Sequence, residues 1–198
     1  MAQNLSKFII LGENPGLDTI AEKLSNEALE AQASVIRWDR MCVKTKDQFE
    51  EQMKMYWHGC LVIGLLDAIR EKGWVEAIGE EYLNSETQKF FGSFDMVMTP
   101  EAWIHEIQTN IEKYSLLVDK IDEVLEKKND WVYVFYTDLD IFSKYPQYIE
   151  SLLQYWQTQY HRLTRICPRI FLPKQLYRPD KLLYQDASKL NGYIVRLP

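Results

Sequence analysis

Phe8-Ile9-Ile10-Leu11-Gly12-Glu13-Asn14-Pro15-Gly16-Leu17 sets the reading of this chain. From Lys7 to Leu11 the run is short and apolar, and Gly12, Pro15 and Gly16 stop it. That is the pattern of a buried first strand and a tight turn. Leu17 to about Ala33 then places Ile20, Ala21, Leu24, Ala28 and Ala31 at helical spacing.

The same alternation continues down the chain. Ser34–Trp38 reads as a second strand, Thr45 to about Trp57 as a helix with a polar start, and Cys60–Leu65 as a third buried strand. Two helix-like pieces follow, at Asp67–Lys72 and Val75–Tyr82, then Phe90-Phe91-Gly92 and an apolar stretch from Phe94 to Met98. Thr99 is a good N-cap, with Pro100 at the first helical position and Glu101 in the first turn. That helix is expected to run to Lys128 with a break near Tyr114. Trp131–Tyr136 reads as a strand, Tyr145 or Pro146 to about Thr164 as a helix, and Arg169–Leu172 and Tyr193–Leu197 as late strands. Strands alternating with helices imply a parallel sheet covered on both faces. Right-handed connections make it doubly wound. The expected fold is therefore a Rossmann-like α/β/α sandwich, one domain over residues 1–198.

Composition narrows the function. The net charge of −6 argues against a basic face for nucleic acid or anionic lipid. No apolar run approaches a membrane span, and the N-terminus carries no signal-peptide pattern. Cys42, Cys60 and Cys167 are odd in number and form no C-x-x-C pair, which fits free thiols and a cytoplasmic protein. His58, His105 and His161 lack metal-ligand spacing, and Asp138-Leu139-Asp140 after a strand reads as a solvated turn rather than a metal pair.

One order of motifs resembles a family. Thr99-Pro100-Glu101-Ala102-Trp103, then Asn110, then the strand Trp131–Thr137, then Tyr148-Ile149-Glu150-Ser151-Leu152 is similar to the short-chain dehydrogenases/reductases. Leu11-Gly12-Glu13-Asn14-Pro15-Gly16-Leu17-Asp18 resembles that family's glycine-rich phosphate turn, and Asp186-Ala187-Ser188 to Val195 its last segment. The resemblance implies catalytic positions at Asn110, Thr137 (Asp138 if the register slips by one), Tyr148 and Leu152, and a cofactor turn at Gly12, Gly16 and Asp18. Departures fall on those positions. The family's lysine is Leu152, its third turn glycine is Asp18, and its N-N-A-G after the third strand reads Gly64-Leu65-Leu66-Asp67. The chain between Gly12 and Leu61 is too short for the usual two strand–helix units, so the family's second strand is expected to be missing, and the substrate lid between Pro173 and Gln185 is cut short.

The chemistry suffers accordingly. Without a neighbouring cation a tyrosine keeps its pKa of about 10 and is a poor general base at neutral pH. Asp18 occupies the helix-terminal field that would hold a pyrophosphate. Two unit charges about 4 Å apart repel by roughly 4 kcal/mol at an effective dielectric of 20. The plainer reading of Asp18, a helix-start residue serving the first-turn amides, also argues against a nucleotide.

The function expected from the sequence is that of a pseudoenzyme: a non-catalytic member of this family acting through a protein partner or as a dimer or tetramer. No cofactor, metal, nucleic acid or membrane is expected. The resemblance places the interface on the helices beginning at Thr99 and near Tyr145, with Trp103, Leu153, Trp156 and Tyr160 as contacts. The second of these helices also carries more apolar surface than one buried stripe needs. Two alternatives stand: an NAD(P)H-dependent oxidoreductase with a rebuilt site, or a module binding another small ligand in the old cofactor cleft.

Overall fold

The computed structural model of the chain describes residues 8–38, 50–79, 81–83, 100–177 and 190–197. Five strands form one all-parallel sheet: β1 (Ile9–Gly12), β2 (Ser34–Trp38), β3 (Val132–Tyr136), β4 (Ile166–Pro173) and β5 (Ile194–Arg196), in the order β2-β3-β4-β1-β5. The helices are α1 (Gly16–Glu30), α2 (Glu50–Glu71), α3 (Val75–Ile78), α4 (Pro100–Thr109), α5 (Ile111–Lys128) and α6 (Pro146–Gln159). The expected class, a Rossmann-like doubly wound α/β/α sandwich, is the one observed.

Parallel neighbours cannot be joined by a tight turn, so every connection crosses over the sheet. The step from β1 to β2 runs one way along the sheet and all later steps run the other way. Right-handed connections then put α1 on one face and the rest on the opposite face. The packing agrees. Ile10, Phe135 and Phe171 meet Leu17 and Ala21 of α1 in a small core. Ile9, Leu11, Ile36, Val134, Tyr136 and Leu172 point into a far larger one with α2, α4, α5 and α6.

The largest correction concerns Cys60–Leu65, expected as a strand. These residues lie in the middle of α2, a helix of 22 residues. The apolar run has no periodicity because the helix is buried all round. It rests on β2 and β3 and is wrapped by α4, α5 and α6. Gly64 permits that approach, since a Cβ there would lie 2.6 Å from Ile36 Cγ2 on β2. Ser34–Trp38, expected as a strand, is β2; it occupies the far edge beside β3, and β1 is flanked by β4 and β5.

Other boundaries shift by a few residues. The helix expected from Thr99 to Lys128 breaks at Asn110 rather than Tyr114. The helix expected to reach Thr164 stops at Gln159. Strand β4 begins at Ile166, three residues before the expected start, and runs through Pro168. Ile170 N–H donates to Phe8 O on the β1 side. By the two-residue repeat, the Pro168 nitrogen faces the same side, and β1 pairing starts only at Ile9 opposite Ile170. The missing donor therefore costs no ladder bond. The expected features at Thr45, Cys42, Phe90–Thr99 and Asp186–Lys189 lie outside the described residues.

Two polar ties lock the lower edge of the sheet. Asp122 on α5 is buried and accepts from Thr164 N at 2.9 Å, Thr164 Oγ1 at 3.0 Å and Arg165 N at 2.8 Å, fixing the entry to β4. Lys72, in the turn just after α2, donates to Asp130 Oδ2 at 2.8 Å and to Gln32 O at 2.6 Å, joining the entries to β3 and β2.

The Gly64–Ile36 contact makes a direct test. Alanine is the better helix former by about 1 kcal/mol. Ile36 is β-branched and stiff, so its methyl cannot swing away. Gly64→Ala is expected to destabilise by about 1–3 kcal/mol in urea unfolding. The loss should shrink in an Ile36→Ala background, because contacting residues couple.

Candidate functional site

Ligands of open α/β sheets sit outside the carboxyl ends of the strands, where neighbouring strands send their connections to opposite faces. Here that point lies between β1 and β4. Its walls are the turn after β1, the first turn of α1, the loop after β3 and the end of β4. Asn14, Leu17, Asp18, Asp138, Leu139, Asp140, Phe171 and Pro173 line the crevice, which has no interior space for a water-sized molecule. Leu139 and Phe171, both buried, fill it from below.

Local sequence explains the closure. The turn Glu13–Pro15 contains a cis Asn14–Pro15 peptide. Pro15 brings no N–H, and the Leu17 amide already donates to Glu13 O at 3.1 Å. A glycine-rich phosphate loop works by presenting free amides. A Cβ on Gly12 would lie 2.9 Å from Leu17 Cδ2 and 3.0 Å from Leu197 Cδ1, so this glycine lets α1 and the end of β5 close over the strand. Gly16 has open space around it. Asp18, Asp138 and Asp140 add three exposed carboxylates to the rim. Asp138 is held in the left-handed region at φ 53°, and Thr137 Oγ1 donates to its Oδ2 at 3.3 Å. No three His, Cys, Asp or Glu side chains among the described residues are grouped to hold a metal ion.

Of the four positions implied as catalytic, two pack in the core and one serves a helix end. Asn110 ends α4, and its Nδ2 donates back to Glu106 O at 3.2 Å and Glu106 Oε1 at 2.9 Å. Tyr114 also donates to Glu106 Oε1, at 2.9 Å. Tyr148 is buried and stacks on Phe142 at 5.1 Å between ring centres. Leu152 has no exposed surface. Only Thr137 reaches the crevice end of the sheet.

The expected interface on α6 is not an open surface. Leu153, Tyr155 and Trp156 are all buried within the chain. Tyr160 is half-buried, its ring 5.1 Å from that of Phe8 and 5.2 Å from that of Tyr193. The apolar excess that suggested a partner is absorbed by α2, which packs along α6. Trp103 falls on α4, and its side chain lies outside the described residues.

The seam between α2 and α6 holds a polar set that the sequence did not single out. Trp57 Nε1 donates to Ser151 Oγ at 3.0 Å and Tyr148 O at 3.2 Å. His58 Nδ1 lies 2.9 Å from the Tyr155 hydroxyl, while its Nε2 is buried without a partner. Burial, with a smaller push from Arg162, lowers the His58 pKa to about 4. Burial lifts the Cys60 thiol to about 12 and the Cys167 thiol to about 11, so neither is a ready nucleophile. This is a neutral, inert interior.

Compared with family models, curated proteins and solved structures, the chain matches none. No helix among the described residues is long and apolar enough to cross a membrane.

Two outcomes follow from the seam. His58 takes up its proton in the unfolded chain near pH 6.5 and in the folded protein only near 4. Stability is therefore intact above about pH 6.5 and falls as the pH drops toward 4. Between pH 7 and pH 5 the loss should be about 2 kcal/mol in denaturant unfolding, and His58→Gln should remove most of that slope. Leu152→Lys, which restores the family's cation, buries an ammonium among apolar side chains. We expect it to destabilise by about 3 kcal/mol or more, seen as a large drop in the urea midpoint.

Proposed function

We propose that this chain is a non-catalytic α/β protein that acts by binding another protein or a further copy of itself. The observation that carries the reading is the closed, acidic crevice between β1 and β4. That is where a fold of this class holds a substrate or cofactor, and here side chains fill it. The use of Tyr148 and Leu152 in the core supports the same reading, because neither is placed to move a proton.

The resemblance to the short-chain dehydrogenases/reductases enters as a proposal of origin only. The strand order β2-β3-β4-β1-β5 differs from the 3-2-1-4-5-6 order of dinucleotide-binding sheets. The segment aligned with the family's N-N-A-G is helical. The proposal of non-catalytic binding therefore rests on the crevice and the core. Self-association remains part of it, on a surface other than the buried aromatic face of α6. A cytoplasmic setting, with its thiols reduced, completes the reading.

Titration with NAD+, NADH, NADP+ and NADPH, followed by calorimetry, is expected to give no dissociation constant in the low micromolar range or tighter. Binding at that strength would overturn the proposal and favour the oxidoreductase alternative. Sedimentation at micromolar concentration separates the two binding modes: an assembled species supports self-association, and a monomer assigns the function to a heteromeric partner.

A further inference from the structure

Among the described residues, the topology leaves one sheet face to α1 alone. Five strands about 4.8 Å apart span roughly 19 Å, whereas one helix covers about 10 Å. The ends of the β4–β5 connection do not help, because Leu176, Tyr177, Leu190 and Tyr193 all pack on the opposite face. Beside α1 a groove of about 270 Å³ remains, floored by Ile10 and Leu197 and walled by Leu24.

Two charged residues line this apolar groove, Arg169 and Glu27. Arg169 stands on β4 among Ile166, Cys167, Ile170, Phe171 and Leu172, at a position facing α1. Its guanidinium carbon lies 5.3 Å from the Tyr133 ring centre, and Nη1 donates to Pro168 O at 2.8 Å. No carboxylate of a described residue lies within ion-pair distance of it. A half-buried guanidinium against hydrocarbon, with most of its N–H groups uncommitted, is an incomplete arrangement. It is completed by an anion that brings its own apolar body.

We propose that this groove binds a small organic acid with an apolar body, its carboxylate on Arg169 and its hydrocarbon along Ile10, Leu24 and Leu197. Tyr133 also lines the groove, and its hydroxyl, protonated at neutral pH, offers a second donor there. The volume lies just below the roughly 300–1,000 Å³ of pockets for drug-sized ligands, which sets a small ligand. Glu27 opposes an anion and so limits affinity. The site lies on the α1 face of the sheet, opposite the large core that holds α2, and does not depend on the crevice at the strand ends.

The test titrates the isotope-labelled full chain with sodium octanoate and with 1-octanol, which share the hydrocarbon and differ in charge, and reads amide shifts by NMR. Saturable shifts clustered at α1, β1 and β5 are expected, with octanoate the tighter ligand. Arg169→Met should weaken octanoate about tenfold, the worth of one charge-assisted contact, and leave octanol unchanged. Arg169→Lys should fall between, and Glu27→Gln should tighten octanoate. Leu24→Trp, on the groove wall, should exclude both ligands. The lysine and glutamine variants decide the matter if the methionine variant does not fold. Equal affinity for the two ligands, shifts scattered over the surface, unchanged octanoate binding in folded Arg169 variants, or weaker binding in Glu27→Gln would each overturn the proposal.

Discussion

Every strand in this sheet runs the same way, and that single constraint organises the molecule. Parallel pairs need long crossovers, crossovers have a hand, and only the first one here travels toward β2. Among the described elements, one helix therefore guards one face, and the other helices crowd the opposite face. The unequal cores follow directly. So does the burial of α2, which must lie between the sheet and three further helices because no other side is open to them.

Burying the middle of a 22-residue helix, from Trp57 to Leu66, on all sides has chemical consequences. Its polar residues cannot all point to water. Trp57 is satisfied by Ser151 and the Tyr148 carbonyl, and His58 only in part by Tyr155. These contacts join α2 to α6, and they turn the region that the family resemblance marks as catalytic into a structural seam. A tyrosine stacked on Phe142 inside that seam is positioned by packing, and its neighbour Leu152 matches its surroundings as a lysine could not. The partnerless His58 Nε2 makes the same seam sensitive to acid, since a charged imidazole has no acceptor waiting there.

The sequence made the class of fold legible because β1, β2 and β3 are short apolar runs set between turn residues and helical patterns. It misread Cys60–Leu65 for a physical reason. Amphipathic periodicity records the contrast between a wet face and a dry one, and a helix dry on every side has no contrast to record. An apolar run then looks like a buried strand, and the resemblance, which also wanted a strand there, reinforced the error. Pro168 hid the start of β4 in a similar way. Proline argues against a central strand, and nothing local in the sequence says that β1 has not yet begun beside it. The aromatics of α6 suggested an outer face because their partner, α2, had been divided into a helix and a strand. The break at Gly12–Gly16 and the helix start at Pro100 survived because they depend on local chemistry alone.

The candidate sites divide along the same lines. The crevice could be located from topology, but its closure depends on Leu139 and Phe171 meeting across two loops, which no local pattern announces. The groove beside α1 had a visible clue, an arginine in the middle of an apolar strand. Such a residue at a face-inward position is costly unless something compensates it. The electrostatics of the two places are opposite. At the strand ends, Asp18, Asp138 and Asp140 surround a helix terminus whose dipole is equivalent to only about half a positive charge, so the local field disfavours an anion. On the α1 face, half-buried Arg169 shares its groove with one carboxylate, Glu27, which lies beyond ion-pair distance. In a chain with a net charge of −6, that contrast puts the proposed anion site away from the edge of the sheet where this architecture ordinarily does its chemistry.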